Sequence, residues 1–448
     1  MVRTISLVAA LFLAGCVSDI KQLDERFQSK PSRWVFVDVQ LVDVIRGEID
    51  SSRDVYIEAG VIKKIEKHTP IQDSGYAPLN ASGRFLSPGL IDSHVHIYSK
   101  TDLLLYVANG VTGVQNMWGF EGAMTLFGLP NSLTLKQHVL DGGFGPRIWT
   151  AGPLMEGDKK THPLMTRYTE AASAEAEVWR QQQLHYDFIK TYDWLSADVF
   201  TAILQKSKTL GIPVKGHVPY AVGLHKAIEL GIAEVEHMTG WIDIDAAKLN
   251  VAEDSLDTIS ELVRDEAISV CPSLLVFQRV TSSERADKKF ANHAYRKYLS
   301  SMDKWMESMG ASSMRDNVTI DLETYPEAIK QVQETVLRNL VKHGVNVVAC
   351  TDAGNPFIYP GVSLHEEMAM IQSAGIVPWK VLQMATVNAA NALGEQNVRG
   401  EIRPGLVADL VLTQKNPLED ISNLTPIDGV MLRGKWFDGG ELNSLLAK

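Results

Sequence analysis

Between residues 86 and 352 the sequence repeats one pattern: a short apolar run, then a longer amphipathic stretch with helical spacing. Eight such runs read as strands: Leu86–His96, Gly110–Trp118, Arg147–Gly152, Asp187–Lys190, Ile212–His217, Glu234–Met238, Ile268–Leu275 and Val345–Asp352. Helical patterns fill the spaces, as at Ala171–His185 and Ser196–Leu210, and Gly211, Gly231 and Gly344 stand where a helix would close before the next strand. Strands joined through helices pair in parallel, because an antiparallel partner needs only a tight turn. Eight of them predict an α/β fold, a closed (β/α)8 barrel of TIM type. An open doubly wound sheet is the alternative, but no Gly-x-Gly-x-x-Gly turn follows any of the strands.

Both flanks are β-rich. Val35–Val39, Arg53–Ile57 and Val61–Ile65 precede the repeats, while Leu406–Leu412 and a run from Gly429 to Trp436 follow them. The expected organisation is a β-sandwich built from both chain ends (34–84 and 399–448) around a barrel over 85–398. Hydrophobic residues at 45% and charged residues at 22% exclude a disordered chain. A net charge of −11 argues against a nucleic-acid partner, which requires a basic face. Three cysteines cannot make a disulfide framework, and the sequence leaves open whether Cys271 and Cys350 pair.

Arg3 followed by the apolar run Ile5–Ala14 is too short to span a bilayer but suits the core of a signal peptide. The run ends in Leu13-Ala14-Gly15-Cys16, which resembles the lipobox of bacterial lipoproteins; an ordinary secretory cleavage site is the alternative. The resemblance implies a signal peptide over 1–15, a lipidated Cys16 and a polar tether over 16–33. The protein would then be exported and anchored to a bacterial membrane, facing the periplasm or the exterior.

Polar residues gather at the strands' C-terminal ends, where barrel enzymes carry their chemistry. His94 and His96 are two apart on one strand, so both imidazoles point the same way. Lys190 ends the fourth strand, His217 the fifth, His237 the sixth and Asp352 the eighth. A buried lysine without a partner is costly, and six such residues at matching depths are not explained by chance.

Together with Pro88-Gly89-Leu90-Ile91-Asp92-Ser93-His94-Val95-His96, these residues resemble the amidohydrolase superfamily of metal-dependent hydrolases. The likeness extends to Gly400-Glu401-Ile402-Arg403-Pro404-Gly405 and to the β-rich ends. Asp187-Phe188-Ile189-Lys190 and the segment Ser363–Met368 are similar to the prolidase and imidazolonepropionase-like branch. The resemblance implies two divalent metal ions, zinc being expected. His94, His96 and Asp352 would hold one, His217 and His237 the other, and a carboxylated Lys190 would bridge them. An ammonium has no lone pair, whereas a lysine carbamate is an anion with two ligating oxygens. Zinc suits such a nitrogen and oxygen set.

The implied reaction is hydrolysis of an amide by a metal-bridging hydroxide, with Asp352 moving the proton and Tyr220 donating to the developing oxyanion. Asn116, Trp118 and His162 are candidate substrate contacts. The expected substrate is a small molecule or dipeptide, first of Xaa-Pro type. Alternatives are a cyclic amide or lactone, or a non-catalytic lipid-anchored binding protein. A mononuclear deaminase is disfavoured because Tyr220 stands where such enzymes carry a glutamate. The long connection from Gln278 to His343, with a charged stretch over Asp287–Met309, reads either as an external helix pair or as a lid over the site.

Overall fold

The computed structural model describes residues 21–70, 75–126, 128–159, 165–244, 246–280, 293–308 and 324–447. The eight expected parallel strands are present as Leu90–Val95, Val111–Asn116, Arg147–Thr150, Ile189–Thr191, Val214–Gly216, Glu234–Glu236, Ser269–Cys271 and Asn346–Val347. The first three form one sheet, and the other five form a second with two short added strands, Met155–Glu156 and Thr166–Arg167. Isolated parallel bridges link the sheets at Ala151 to Phe188 and at Val95 to Ala353. The arrangement is mixed α/β and TIM-barrel-like, with helices between successive strands. Its core is aliphatic, with Val114, Ile148, Ile189, Val214, Val235, Val270 and Val347 all buried.

Local sequence explains the helix ends. The helix Ala197–Leu210 begins where the Ser196 side chain accepts the Val199 N–H and stops at Gly211, whose φ of 69° is left-handed. No helix among the described residues is long and apolar enough to cross a membrane.

The chain ends meet in one eight-stranded sheet, in part the sandwich expected of them. Its order runs Lys435–Asp438, Ile427–Leu432, Leu410–Thr413, Phe85–Pro88, Arg33–Asp43, Glu48–Glu58 and Val61–Lys67, with Ala77–Asn80 also paired to Arg33–Asp43. A bridge from Val61 to Val407 curls the sheet on itself around Phe36, Val55, Ile57, Leu86, Leu410 and Met431.

Three expectations change. The run Leu86–His96 is two strands: Phe85–Pro88 joins the terminal sheet, which therefore extends past residue 84, and Leu90–Val95 begins the parallel set. The switch falls at Gly89, where an added Cβ would lie 2.2 Å from Thr112 Oγ1, so the crossing requires glycine. The run Gly429–Trp436 is a hairpin, because Arg433 and Gly434 both take positive φ (46° and 75°), as a type I′ turn demands. The segment expected to be a tether is helical over 21–29, with Leu23 and Phe27 packed among Leu104, Phe144, Phe437 and Leu442. Its polar residues are also engaged: Asp24 accepts the Phe144 N–H, and Lys30 pairs with Glu441. Cys16 lies outside the described residues.

Cys271 and Cys350 are joined in a disulfide, both fully buried, with their Cα atoms 5.8 Å apart. The bond ties the end of the seventh strand to the segment following the eighth.

Phe27 is 4% exposed, meets Phe144 edge-on and stacks on Phe437, so Phe27→Ala removes the main apolar hold on helix 21–29. Hydrogen exchange should show this helix losing protection while the parallel strands keep theirs. Unchanged protection over 21–29 would show that the ion pairs alone hold it.

Candidate metal centre

The end of the first strand and the segment after the eighth are stitched together by backbone. Asp352 N–H donates to His94 O and His96 N–H to Ala353 O, at 2.8 and 2.7 Å. Buried Asp92 reinforces the seam by accepting from Thr351 N, Thr351 Oγ1 and His94 N. This brings the Asp352 carboxylate among the histidines. Its Oδ1 lies 2.8 Å from His96 Nε2 and 3.2 Å from His94 Nε2, and its Oδ2 is 3.7 Å from His237 Nε2. The His237 ring is 4.8 Å from that of His94 and 4.9 Å from that of His217. His237 and Asp352 both have positive φ, 58° and 62°, a conformation an L-residue adopts at some cost and one concentrated at functional sites.

Three imidazoles are fixed from behind. Glu236 takes His94 Nδ1 at 2.6 Å, Asp193 takes His217 Nδ1 at 2.7 Å, and Ser273 Oγ meets His237 Nδ1 at 2.5 Å. An ionised carboxylate can only accept, so His94 and His217 carry hydrogen on Nδ1 and keep a lone pair on Nε2. The lone pair of His94 then faces Asp352 Oδ1, acceptor against acceptor, which is stable only with a cation or a proton between them. Histidines that ligate metals are commonly held in this way. Among the described residues, His217 Nε2 and Lys190 Nζ are buried with no hydrogen-bond partner. Such orphaned donors and acceptors fit a divalent cation site.

Electrostatics agree. Burial pushes His96 and His237 below the ordinary imidazole range, which keeps them neutral and able to ligate. For His94 burial acts the same way, but Asp352 and Glu236 outweigh it and raise the ring to about 9, so without a cation a proton fills the place between Nε2 and Asp352 Oδ1. Asp352 is held ionised, well below the usual carboxylate range; burial opposes this, and His94 with the neighbouring imidazoles overcomes it. Burial lowers Lys190 against the pull of Glu236 and Asp352, the direction that favours the neutral amine needed to add carbon dioxide.

His94, His96, His237 and Asp352 are thus in direct proximity, His217 adjoins them through His237, and Lys190 is buried on the fourth strand. Trp118 meets the His96 ring edge-on at 6.1 Å, within a cluster of Tyr98, Phe120, Met165 and Met306. Asn116, expected to face substrate, is instead a fastener: its amide donates to Trp118 O and Thr150 Oγ1 and accepts from Ile97 N. Tyr220 is half exposed, its ring 4.9 Å from that of Trp194, so it stands at the rim rather than among the ligand candidates. His162 lies outside the described residues. Of the long connection, residues 278–280, 293–308 and 324–343 are described; Tyr325–Lys342 is a helix, and 293–308 belongs to the charged stretch. Leu299 packs on Phe357 and Tyr359, and Met306 on Tyr98 and Trp118, so this part lies beside the strands' C-terminal ends.

The residues that orient the rings were not found from sequence. Glu236 directly precedes His237 and Asp193 follows Lys190 by three, yet neither carries a spacing signal, because each serves a histidine on another strand.

Comparison with known proteins agrees with this geometry. Imidazolonepropionase from Idiomarina loihiensis is 36% identical over 142 residues, 30% of this chain and 33% of that enzyme. The chain therefore aligns with about a third of that curated relative. Bottromycin amidohydrolase superposes with a TM-score of 0.74 at 26% identity, covering 96% of this chain and 92% of that one. A Xaa-Pro dipeptidase with bound methionine gives 0.67 at 19% identity, covering 91% and 100%, a likeness of fold. The amidohydrolase family model matches residues 85–437, a span that contains every ligand candidate from His94 to Asp352, and the chain belongs to the amidohydrolase family.

Proposed function

We propose that this protein is a metal-dependent hydrolase of carbon–nitrogen bonds, acting on a dipeptide of Xaa-Pro type or a related amide. The observation that carries this reading is the buried Asp352 carboxylate set among the Nε2 atoms of His94, His96 and His237, with Lys190 Nζ buried and unpartnered nearby. In the same reading, the bridges from Ala151 to Phe188 and from Val95 to Ala353 close the two parallel sheets into one (β/α)8 barrel.

His94, His96 and Asp352 would hold one divalent ion, His217 and His237 a second, and carboxylated Lys190 would bridge them; zinc suits these donors. Bound there, the ions supply Lewis acidity, making water a nucleophile near neutral pH and polarising an amide carbonyl. The chain's own residues do the rest. Asp352, held ionised, takes a proton from the attacking water and returns it to the leaving amine. Glu236, Asp193 and Ser273 keep three imidazoles aimed, so no rotamer search accompanies turnover. Trp118 and its apolar cluster wall one side and exclude water. From the rim, Tyr220 would donate to the oxyanion after a shift inward.

The imidazolonepropionase relatives favour a second reading, hydrolysis of a cyclic amide or lactone at the same residues. A third, a non-catalytic lipid-anchored binding protein, requires the ligand array to bind no metal. We also propose export and lipid anchoring at Cys16, from Leu13-Ala14-Gly15-Cys16.

The direct test assays purified, metal-loaded protein against dipeptides, N-acyl amino acids, cyclic amides and lactones, with metal stoichiometry measured alongside. Lys190→Ala should lose hydrolysis and one or both ions, short carboxylic acids should restore part of it, and Lys190→Arg should restore none because guanidinium stays positive. A fully active Lys190→Ala enzyme with two ions would remove the bridge from the mechanism.

Asp193→Asn should weaken metal affinity by ~10- to 100-fold through the loss of His217 orientation, read by competition with a chelator. Equal affinity in the two proteins would leave Asp193 a purely structural partner.

Cys16→Ala should move the protein from the membrane to the soluble fraction in cells. An unmodified Cys16 by mass spectrometry of the native N-terminus would refute the anchor.

A further inference from the structure

The disulfide sits directly beneath the ligand candidates. Cys271 precedes Ser273, which holds His237 Nδ1, by two residues, and Cys350 precedes Asp352 by two. Cys271 Sγ is 3.9 Å from His94 Nδ1 and 3.8 Å from Ser273 Oγ. Glu236, which takes that same His94 nitrogen at 2.6 Å, lies on the next strand. The donor atoms of His94, Glu236 and Cys271 all fall within 4.8 Å of one another and all three residues are buried, a second grouping with the spacing of a metal site. It shares His94 with the proposed centre but uses the other ring nitrogen.

We infer that the Cys271–Cys350 disulfide protects the metal centre by withholding Cys271 from a competing site formed with His94 Nδ1 and Glu236. The inference rests on the metal-centre reading above. A disulfide sulfur is a poor ligand, whereas a thiolate is among the strongest for zinc. An ion taken by Nδ1, Glu236 and Cys271 would displace the hydrogen that Nδ1 gives to Glu236. That hydrogen is what sets the lone pair on Nε2, so one misplaced ion also unhinges a proper ligand. The redox step is a two-electron exchange: a dithiol reductant attacks the bond, becomes a disulfide itself, and leaves Cys271 and Cys350 as thiols. On binding an ion, Cys271 releases its proton. Joined to Cys350, the sulfur instead links the end of the strand that leads to Ser273 with the segment that carries Asp352. The cross-link also suits an exported protein, since disulfides persist in oxidising compartments.

The test uses the full chain loaded with cobalt, which reports thiolate ligation by a charge-transfer band. Oxidised wild type should bind cobalt without the band. Cys350→Ala, which leaves Cys271 as a free thiol, should show the band and lose at least ~10-fold in hydrolysis relative to the double variant Cys271→Ala/Cys350→Ala. The double variant should melt earlier than wild type yet bind cobalt without the band. A purely structural cross-link predicts equal loss in the single and double variants and no band in either, which would overturn the inference. Wild type prepared in a dithiol reductant, with two free thiols counted, provides the same reading should Cys350→Ala fail to fold: the band supports the inference and its absence rejects it. If oxidised wild type binds no cobalt at all, the metal-centre reading itself has failed, a result distinct from a missing band in a metal-loaded enzyme.

Discussion

Lys190 is 1% exposed and its Nζ has no hydrogen-bond partner among the described residues. An amine in that position either carries a charge at heavy desolvation cost or gives up its proton. The strands around it are built to live with that cost. Glu236 and Asp352 lie near enough to favour the charged form, while burial favours the neutral one. In water each of these groups would be solvated separately. Within the parallel strands they must satisfy one another or share a cation, and the rest of the site follows from that requirement.

The required precision is supplied from behind the ligand candidates. His94, His217 and His237 are each held at Nδ1 by a residue on a different strand or loop, so no one loop sets the positions of the rings. Asp92 and the backbone pairs between the first strand and the post-eighth segment place Asp352 in that convergence. The disulfide lies one layer deeper and joins two of the supporting segments. The outer side is apolar, with Trp118, Tyr98 and Met306 shielding the polar centre. A low-dielectric surround strengthens each electrostatic contact inside it and makes each unpaired group more costly.

The terminal sheet has a separate logic. Leu410–Thr413 pairs with Phe85–Pro88 just before the first parallel strand, so the two ends of the chain brace the strand that carries His94. Gly89 allows the chain to leave one sheet and enter the other within a single residue. The docked helix over 21–29 extends this bracing toward the N-terminus through Phe27, Phe144 and Phe437.

The eight strand runs and the residues at their ends were legible in the sequence, because hydrophobic periodicity and strand-end position are local properties. His94, His96, Lys190, His217, His237 and Asp352 each stand at the predicted end of an apolar run, and depth along a parallel strand is set by residue count alone. What the sequence could not decide was pairing across strands. Glu236 beside His237 looks like any buried strand residue until the sheet curves round and brings it to His94. Asn116 reads as a substrate contact in sequence, whereas the fold spends its amide on Trp118 O and Thr150 Oγ1. The polar run after Cys16 hid two apolar residues, Leu23 and Phe27, at helical spacing, and only their packing among Leu104, Phe144, Phe437 and the C-terminal helix Gly439–Leu446 made them part of the core. Cys271 and Cys350 are 79 residues apart, and nothing short of the parallel register of the seventh and eighth strands could bring their sulfurs together. Sequence sets which face a side chain occupies, and tertiary structure sets which side chain it meets there.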